Sequence, residues 1–209
     1  MVLHALGRGE TPIRVRVEAQ KLKSNMSIKD KTIAWWDKCL QDPIKLEGWL
    51  ISLYNNEKDA EYRFIEFANK YCTENKEAYD VFIEIAQQEH DHAILVEKVI
   101  EVRGITLYEK SSKDGRYWQK TLACVKDMNT AASVGAYAES LSLGRMRVIM
   151  AHEGTPQDLK DMFAVIEPDE AYHARILTEI GGKFGMKEVK ECHDDGLEAL
   201  GLKIKSSND

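Results

Sequence analysis

Four long segments of this chain carry apolar residues at three-to-four spacing, and in each the apolar stripe is interrupted by an acid. In the first, Leu50, Leu53 and Tyr54 lead to Glu57 before Phe64, Ile65 and Ala68 resume the stripe. The second reads Phe82, Ile85, Glu89, His92, Val96, Val99, and the third Ala132, Gly135, Glu139, Leu143, Met146, Ile149. The fourth reads Phe163, Ile166, Glu170, His173, Leu177, Ile180. A 3.6-residue period places each row on one face of a helix, and an apolar face turns towards a core. An ionised carboxylate in a dry core is very unfavourable unless it is paired or bound to a metal. Four facing one another would be prohibitive, so whatever this chain folds into must supply positive charge among them.

The periodicity predicts long helices over about 44–72, 76–103, 129–152 and 157–180, with shorter ones over 29–40 and 187–200. Alternating strand patterns are nearly absent. The boundaries carry helix punctuation: Asp42-Pro43 opens the first long helix, Gly104 ends the second, Thr155-Pro156 opens the fourth and Gly181-Gly182 closes it. Pro168, two residues before Glu170, should kink the fourth helix or restart it. About 25 residues join the second and third long helices, far more than the turns on either side. The expected fold is all-α, a ferritin-like four-helix bundle with a long crossover between helices two and three and extra flanking helices. A cytokine-like bundle would need two long crossovers.

Residues 1–25 hold five basic residues and two acids and lack a continuous apolar run, so they read as an appended or disordered leader rather than a secretory signal. Residues 26–209 form the expected bundle domain. The whole chain has a formal charge of -6, which argues against wholesale coating of nucleic acid. No apolar stretch approaches the ~18 residues a membrane span needs. The four cysteines, Cys39, Cys72, Cys124 and Cys192, form no Cys-x-x-Cys pair, which excludes a zinc ribbon, a rubredoxin-type iron site and a thioredoxin motif. A soluble protein of the reduced cytoplasm is expected.

Two ferrous ions would balance four glutamates, and neutral histidines would add nitrogen donors without disturbing that balance. Glu and His three positions apart lie one turn apart on the same helix face and can reach one metal. The second and fourth helices each supply Glu-x-x-His (Glu89/His92, Glu170/His173), and the first and third each supply one Glu (Glu57, Glu139). That is the ligand set of di-iron carboxylate bundles. Chance alone gives ~0.6 Glu-x-x-His matches for this composition, so position within the stripes, not the count, carries the signal. Glu61 competes with Glu57 for the first-helix position and otherwise supports it or faces solvent. Glu167, one turn before Glu170, is a candidate shifting carboxylate. His90 points outward; His152 and His193 read as surface histidines. Tyr54, Tyr62, Tyr137 and Tyr172 read as packing residues, the Trp35-Trp36 pair as a lid on the bundle end, and Leu53, Leu143, Met146 and Ile149 as the lining of a cavity. Manganese, or a mixed manganese–iron pair, suits the same donors as two irons.

Asn56-Glu57-Lys58-Asp59-Ala60 and Gln88-Glu89-His90-Asp91-His92-Ala93 resemble the first two iron motifs of the rubrerythrin and ferritin-like superfamily. Over about residues 45–180 the chain more closely resembles the bacterial tRNA hydroxylases that act on the isopentenyl side chain of 2-methylthio-isopentenyladenosine. The shared features are Asn-Glu-Lys-x-Ala at 56–60, Arg103-Gly104-Ile105, the third-helix set Gly135, Ala136, Glu139, Ser142 and Arg145, and Glu170 with His173. It departs from that family at Leu143-Gly144, where the family has Cys-Glu, and at His90-Asp91 inside the second motif. The resemblance implies a non-haem di-iron centre held by Glu57, Glu89, His92, Glu139, Glu170 and His173, with Ser142 and Arg145 near it. It also implies O2 as co-substrate and an external electron donor.

The expected activity is therefore that of a di-iron oxidoreductase, a monooxygenase hydroxylating an unactivated C–H bond, either on tRNA or on a small metabolite. A rubrerythrin-like peroxidase or a ferroxidase is the alternative. Rubrerythrins usually carry a further Glu three residues after the third-helix ligand, where this chain has Ser142, and often a rubredoxin module. Ferritin-type storage would need a closed shell of many chains. The connector supplies a candidate RNA-binding surface in Arg103, Lys110, Lys113, Arg116, Lys120 and Lys126, interleaved with Tyr108, Tyr117 and Trp118.

Overall fold

The computed structural model describes residues 26–108 and 115–203, and all regular structure among them is helical. The leader and the connector residues Lys110 and Lys113 lie outside the described residues. The elements are α1 (Ile28–Leu40), α2 (Pro43–Tyr71), α3 (Lys76–Val102), α4 (Arg116–Thr121), α5 (Met128–Ala151), α6 (Gln157–Glu188) and α7 (Lys190–Ala199), with a 3₁₀ turn, Leu122–Cys124, after α4. Short links fold α2 back on α3 and α5 back on α6, and these two hairpins form the ferritin-like bundle. The crossover between them carries α4, which packs on α7, while α1 lies against α5 and α2. No helix among the described residues is long and apolar enough to cross a membrane.

Side-chain caps fix the register of the long helices. Asp42, with Pro43 in the first turn, accepts from the Lys45 amide; Asn75 accepts from Ala78; Asp127 and Thr130 form a reciprocal capping box. The start of α6 is built differently from the sequence expectation. Thr155 does not cap it; its buried hydroxyl accepts from the Trp36 indole at 2.7 Å and donates to the Ile149 carbonyl at 2.6 Å. That bond clips the α1 tryptophan onto the bundle end.

Two further expectations concern α6. Pro168 neither breaks nor restarts the helix: only Gly182 departs from helical angles, at φ 60°, ψ 177°. Pro168 and Ala164, whose carbonyl the proline leaves without its usual partner, are both exposed, so water can satisfy that carbonyl. The Gly181-Gly182 pair closes the regular helix as expected: Gly182 takes a positive φ that glycine accepts at no steric cost, and a further helical stretch follows it to Glu188. Close approach of α5 and α6 is set nearby: a Cβ on Gly185 would lie 2.6 Å from Ser133 Oγ and 2.8 Å from the Asn129 carbonyl oxygen.

Two apolar clusters fill the bundle. Phe64, Phe67, Phe82, Ile85 and Leu177 build one, and Trp36, Leu50, Val96, Met146, Phe163 and Ile166 build the other. The expectation of reduced, separate thiols fails for one pair. Cys124 and Cys192, 68 residues apart, are joined as a disulfide between the 3₁₀ turn and α7, while Cys39 and Cys72 are free and buried. Such a pairing depends on tertiary proximity, which cysteine spacing does not report.

Gly185→Ala should lower stability by about 1–3 kcal/mol, the usual range for overpacking a close contact, because one of the atoms in the way is backbone. Urea unfolding of the variant against wild type checks this.

Candidate metal centre

Each long bundle helix turns its interrupting acid inward. Glu57 on α2, Glu89 and His92 on α3, Glu139 on α5, and Glu170 and His173 on α6 are all buried. Their donor atoms form two sets, each within 4.8 Å: Glu57, Glu89, His92 and Glu170 in one, and Glu89, Glu139, Glu170 and His173 in the other. Glu89 and Glu170 belong to both, so they occupy the shared middle with one Glu and one His on either side. This is a dinuclear layout.

The histidines are oriented from behind. Nε2 of His92 lies 3.2 Å from Asp169 Oδ2, and Nε2 of His173 lies 2.9 Å from Gln88 Oε1. With those oxygens as acceptors, Nε2 carries the proton in each ring and Nδ1 presents a lone pair to the cluster. This is the arrangement that second-layer partners impose on metal-binding imidazoles. His92 Nδ1, His173 Nδ1, Glu89 Oε1 and Glu170 Oε2 are buried without a hydrogen bond. His173 Nδ1 and Glu89 Oε1 are 3.1 Å apart but not in hydrogen-bonding geometry. Buried polar atoms left without partners are costly; here they converge on one place and their chemistry, carboxylate oxygen and imidazole nitrogen, suits divalent iron or manganese. The residues present therefore fit a two-metal centre.

Electrostatics point the same way. Burial, and then the charge of Glu89, push the carboxyls of Glu57 and Glu139 upwards, Glu139 to about 7. Glu170 is raised by burial and by Glu139. Burial alone would raise Glu89 too, but the His173 and His92 rings beside it hold it below its ordinary value. Arg63 of α2 adds a buried cation near the cluster; burial lowers it to about 10 against the opposing pull of Asp59 and Glu139.

A cavity of about 710 Å³ opens from the cluster to solvent. Glu57, Glu89, Glu139 and Glu170 lie in its floor, and Trp49, Leu53, Met146, Ile149 and Phe163 form its apolar wall. Ser142 and Arg145 also line it; Leu143, expected there, does not.

The remaining candidates are placed elsewhere. Glu61 pairs with the exposed His90 at 3.1 Å, and Glu167 pairs with Arg147 on the surface, so neither joins the cluster. Arg103 makes two 2.8 Å hydrogen bonds to Asp158. Tyr117 is buried and bonded to His193, and Trp118 lies flat against the Arg63 guanidinium at 3.6 Å. Arg116 and Lys120 are exposed on α4. His193, expected at the surface, is half-buried and stacked on Tyr137; His152 pairs with Asp37. Tyr62 is exposed and Tyr172 reaches Glu84, away from the cluster. Sequence reasoning missed Asp169, Gln88 and Arg63. For the first two a signal existed: each directly precedes a Glu-x-x-His.

The family model described as Rubrerythrin matches residues 50–184, a stretch that contains all six clustered side chains. The chain belongs to the rubrerythrin family. No curated protein and no solved structure matches it. Membership of this ferritin-like di-iron group and the buried Glu/His cluster agree: the protein has the fold and the donor set of a di-iron rubrerythrin-family member.

Asp169→Ala should weaken metal binding about 10- to 100-fold, read by competition with a chromophoric chelator, with helicity unchanged. In the metal-free protein the protons held on Glu139, and on Glu57 and Glu170 raised in the same direction, stabilise the fold below the unfolded carboxyl value of 4.5. That stabilisation is lost as pH rises through the folded values, about 7 for Glu139. Glu89, shifted down, acts oppositely and only in acid. The melting temperature of metal-free protein should therefore fall between about pH 5 and pH 8, and the stabilisation by added Fe(II) should grow over the same range.

Proposed function

We propose that the protein is an O2-dependent di-iron hydroxylase of an unactivated C–H bond. The single observation that carries this reading is the solvent-open cavity, whose floor is the carboxylate cluster and whose wall is apolar. A peroxidase or ferroxidase handles H2O2, O2 and iron and needs no room for an organic molecule beside the metals. Ser142, which lines the cavity where rubrerythrins usually place another glutamate, supports the same choice.

In this reading Glu57, Glu89, His92 and Glu170 would hold one ion and Glu89, Glu139, Glu170 and His173 the other. Two irons bound there supply the redox chemistry that activates O2. The protein's residues do the rest. Asp169 and Gln88 fix the imidazoles, and Arg63 offsets negative charge. Trp49, Leu53, Met146, Ile149 and Phe163 exclude water and hold the substrate's apolar part over the cluster. The balance of the reaction is R–H, O2, two electrons from an external donor and two protons giving R–OH and water.

The resemblance to tRNA hydroxylases supports a tRNA substrate, with Arg116 and Lys120 exposed to meet it. A small metabolite is favoured by the connector itself. Tyr117 and Trp118 are spent on packing rather than free to stack on an unpaired base, and Arg103 is tied to Asp158.

Protein loaded anaerobically with Fe(II), reduced and exposed to isotopically labelled O2 with tRNA or with pooled small metabolites should place label in an alcohol product. Ile149→Trp, which fills the cavity, should cut that product about tenfold or more while keeping bound iron. Rapid H2O2 reduction that is indifferent to Ile149→Trp, with no labelled product from either pool, would contradict the proposal.

A further inference from the structure

One side chain in the cavity wall is left uncompensated. Arg145 lies on α5 six residues after Glu139, which a helical rise of 1.5 Å per residue places about 9 Å further along the axis. It lines the cavity, and its guanidinium sits over the ring of Trp35 at 4.8 Å. Nε is buried without a hydrogen-bond partner, and no ion pair joins Arg145 to an acid among the described residues. Burial lowers its pKa, and the one neighbour that opposes this is the free thiol Cys39. The buried charges near the site all have company: Arg63 has Asp59, and the four glutamates have each other, the histidines and the metals they fit.

An arginine presents five donors in a rigid fork that matches carboxylate or phosphate oxygens. Burying the Nε of such a group with nothing to accept from it is destabilising. Its cation–π contact with the indole recovers only about 0.5–2 kcal/mol. The surrounding wall repeats the sign. Lys31 and Arg116 also line the cavity, and Asp59 is the one acid of the lining that lies outside the metal-binding set. With the four glutamates matched by two divalent ions, the charged side chains left in the lining are Lys31, Arg63, Arg116 and Arg145 against Asp59, a net positive set.

We infer that Arg145 is the anion-recognition residue of the cavity, and that the molecule bound there is an organic anion. Its carboxylate or phosphate pairs with the Arg145 guanidinium over Trp35, and its apolar body extends about 9 Å towards the carboxylate cluster. This assignment rests on reading the cavity as a substrate site and adds to it the chemical class of the substrate. It also accounts for a half-buried guanidinium whose Nε has no partner of its own: the partner is the ligand.

The test is a binding titration of the full, metal-loaded chain, followed by tryptophan fluorescence and calorimetry. The probes are octanoate, octyl phosphate, 1-octanol and inorganic phosphate. Wild type should bind octanoate or octyl phosphate about tenfold or more tighter than 1-octanol, a difference expected of a charge-assisted pair. Whichever anion binds better names the head group. Arg145→Gln should erase the preference and Arg145→Lys should keep part of it, both with wild-type metal content. Ligand-free Arg145→Gln should melt at or above the wild-type temperature, since it removes a half-buried cation with no acid paired to it; a merely structural arginine would give a lower one. The inference is overturned if 1-octanol binds as well as the anions or if Arg145→Gln retains the preference. It is equally overturned if inorganic phosphate binds as tightly as octyl phosphate, because the apolar body would then count for nothing. None of these readouts depends on turnover. Anion binding without labelled product would sink the hydroxylase reading and leave this one standing, and labelled product from a neutral substrate with no anion preference would do the reverse.

Discussion

Four carboxyl groups in the middle of one apolar bundle cannot all ionise unless cations sit among them, and this constraint organises the rest of the molecule. Left to themselves Glu57, Glu139 and Glu170 hold protons well above the usual carboxylate range, while the His173 and His92 rings shift Glu89 the other way. Two divalent ions in the two overlapping donor sets replace those protons with charge of the right size and leave the histidines neutral. The orientation of the rings by Asp169 and Gln88, the convergence of unpartnered donor atoms and the shared central position of Glu89 and Glu170 all follow from that replacement.

The fold serves this centre by holding it between two apolar clusters. On one side the Phe64, Phe67 and Phe82 group locks the helices together. On the other, α1 brings Trp35 and Trp36 against Trp49, and the Trp36–Thr155 hydrogen bond ties that plug to the start of α6. Trp35 and Trp49 of that plug also line the cavity. Its walls are therefore drawn from the flanking elements α1 and α4 as well as from the bundle. The additions to the four-helix core thus shape the space next to the metals, and the Cys124–Cys192 link fastens α4's end of that wall to α7.

What could be read in the sequence was whatever a single helix reports about itself. The long helices, the crossover and the acid in each stripe follow from a period of 3.6, and the choice of Glu57 over Glu61 follows from stripe position; the structure places Glu57 in the cluster and Glu61 against His90. What escaped depends on pairs of helices. Asp169 and Gln88 sit one position before a clustered glutamate, about 100° off its face. They matter only because each reaches a histidine on the opposite helix. Arg63 carries no signal within its own helix; it is buried where α4 lays Trp118 over it. Pro168 does not restart the helix for a similar reason: what its orphaned carbonyl faces decides whether the helix can run through, and here that is solvent.

The central claim is that the cluster is one dinuclear centre with two shared glutamates. Elemental analysis after anaerobic Fe(II) loading and desalting tests it most directly, comparing wild type with Glu139→Ala and Glu170→Ala. About two irons per chain are expected in wild type. Removing Glu139, which belongs to one set, should lower the occupancy of one position, and removing the shared Glu170 should deplete both. No bound iron in wild type, or two irons retained in the Glu170→Ala protein, would contradict the account.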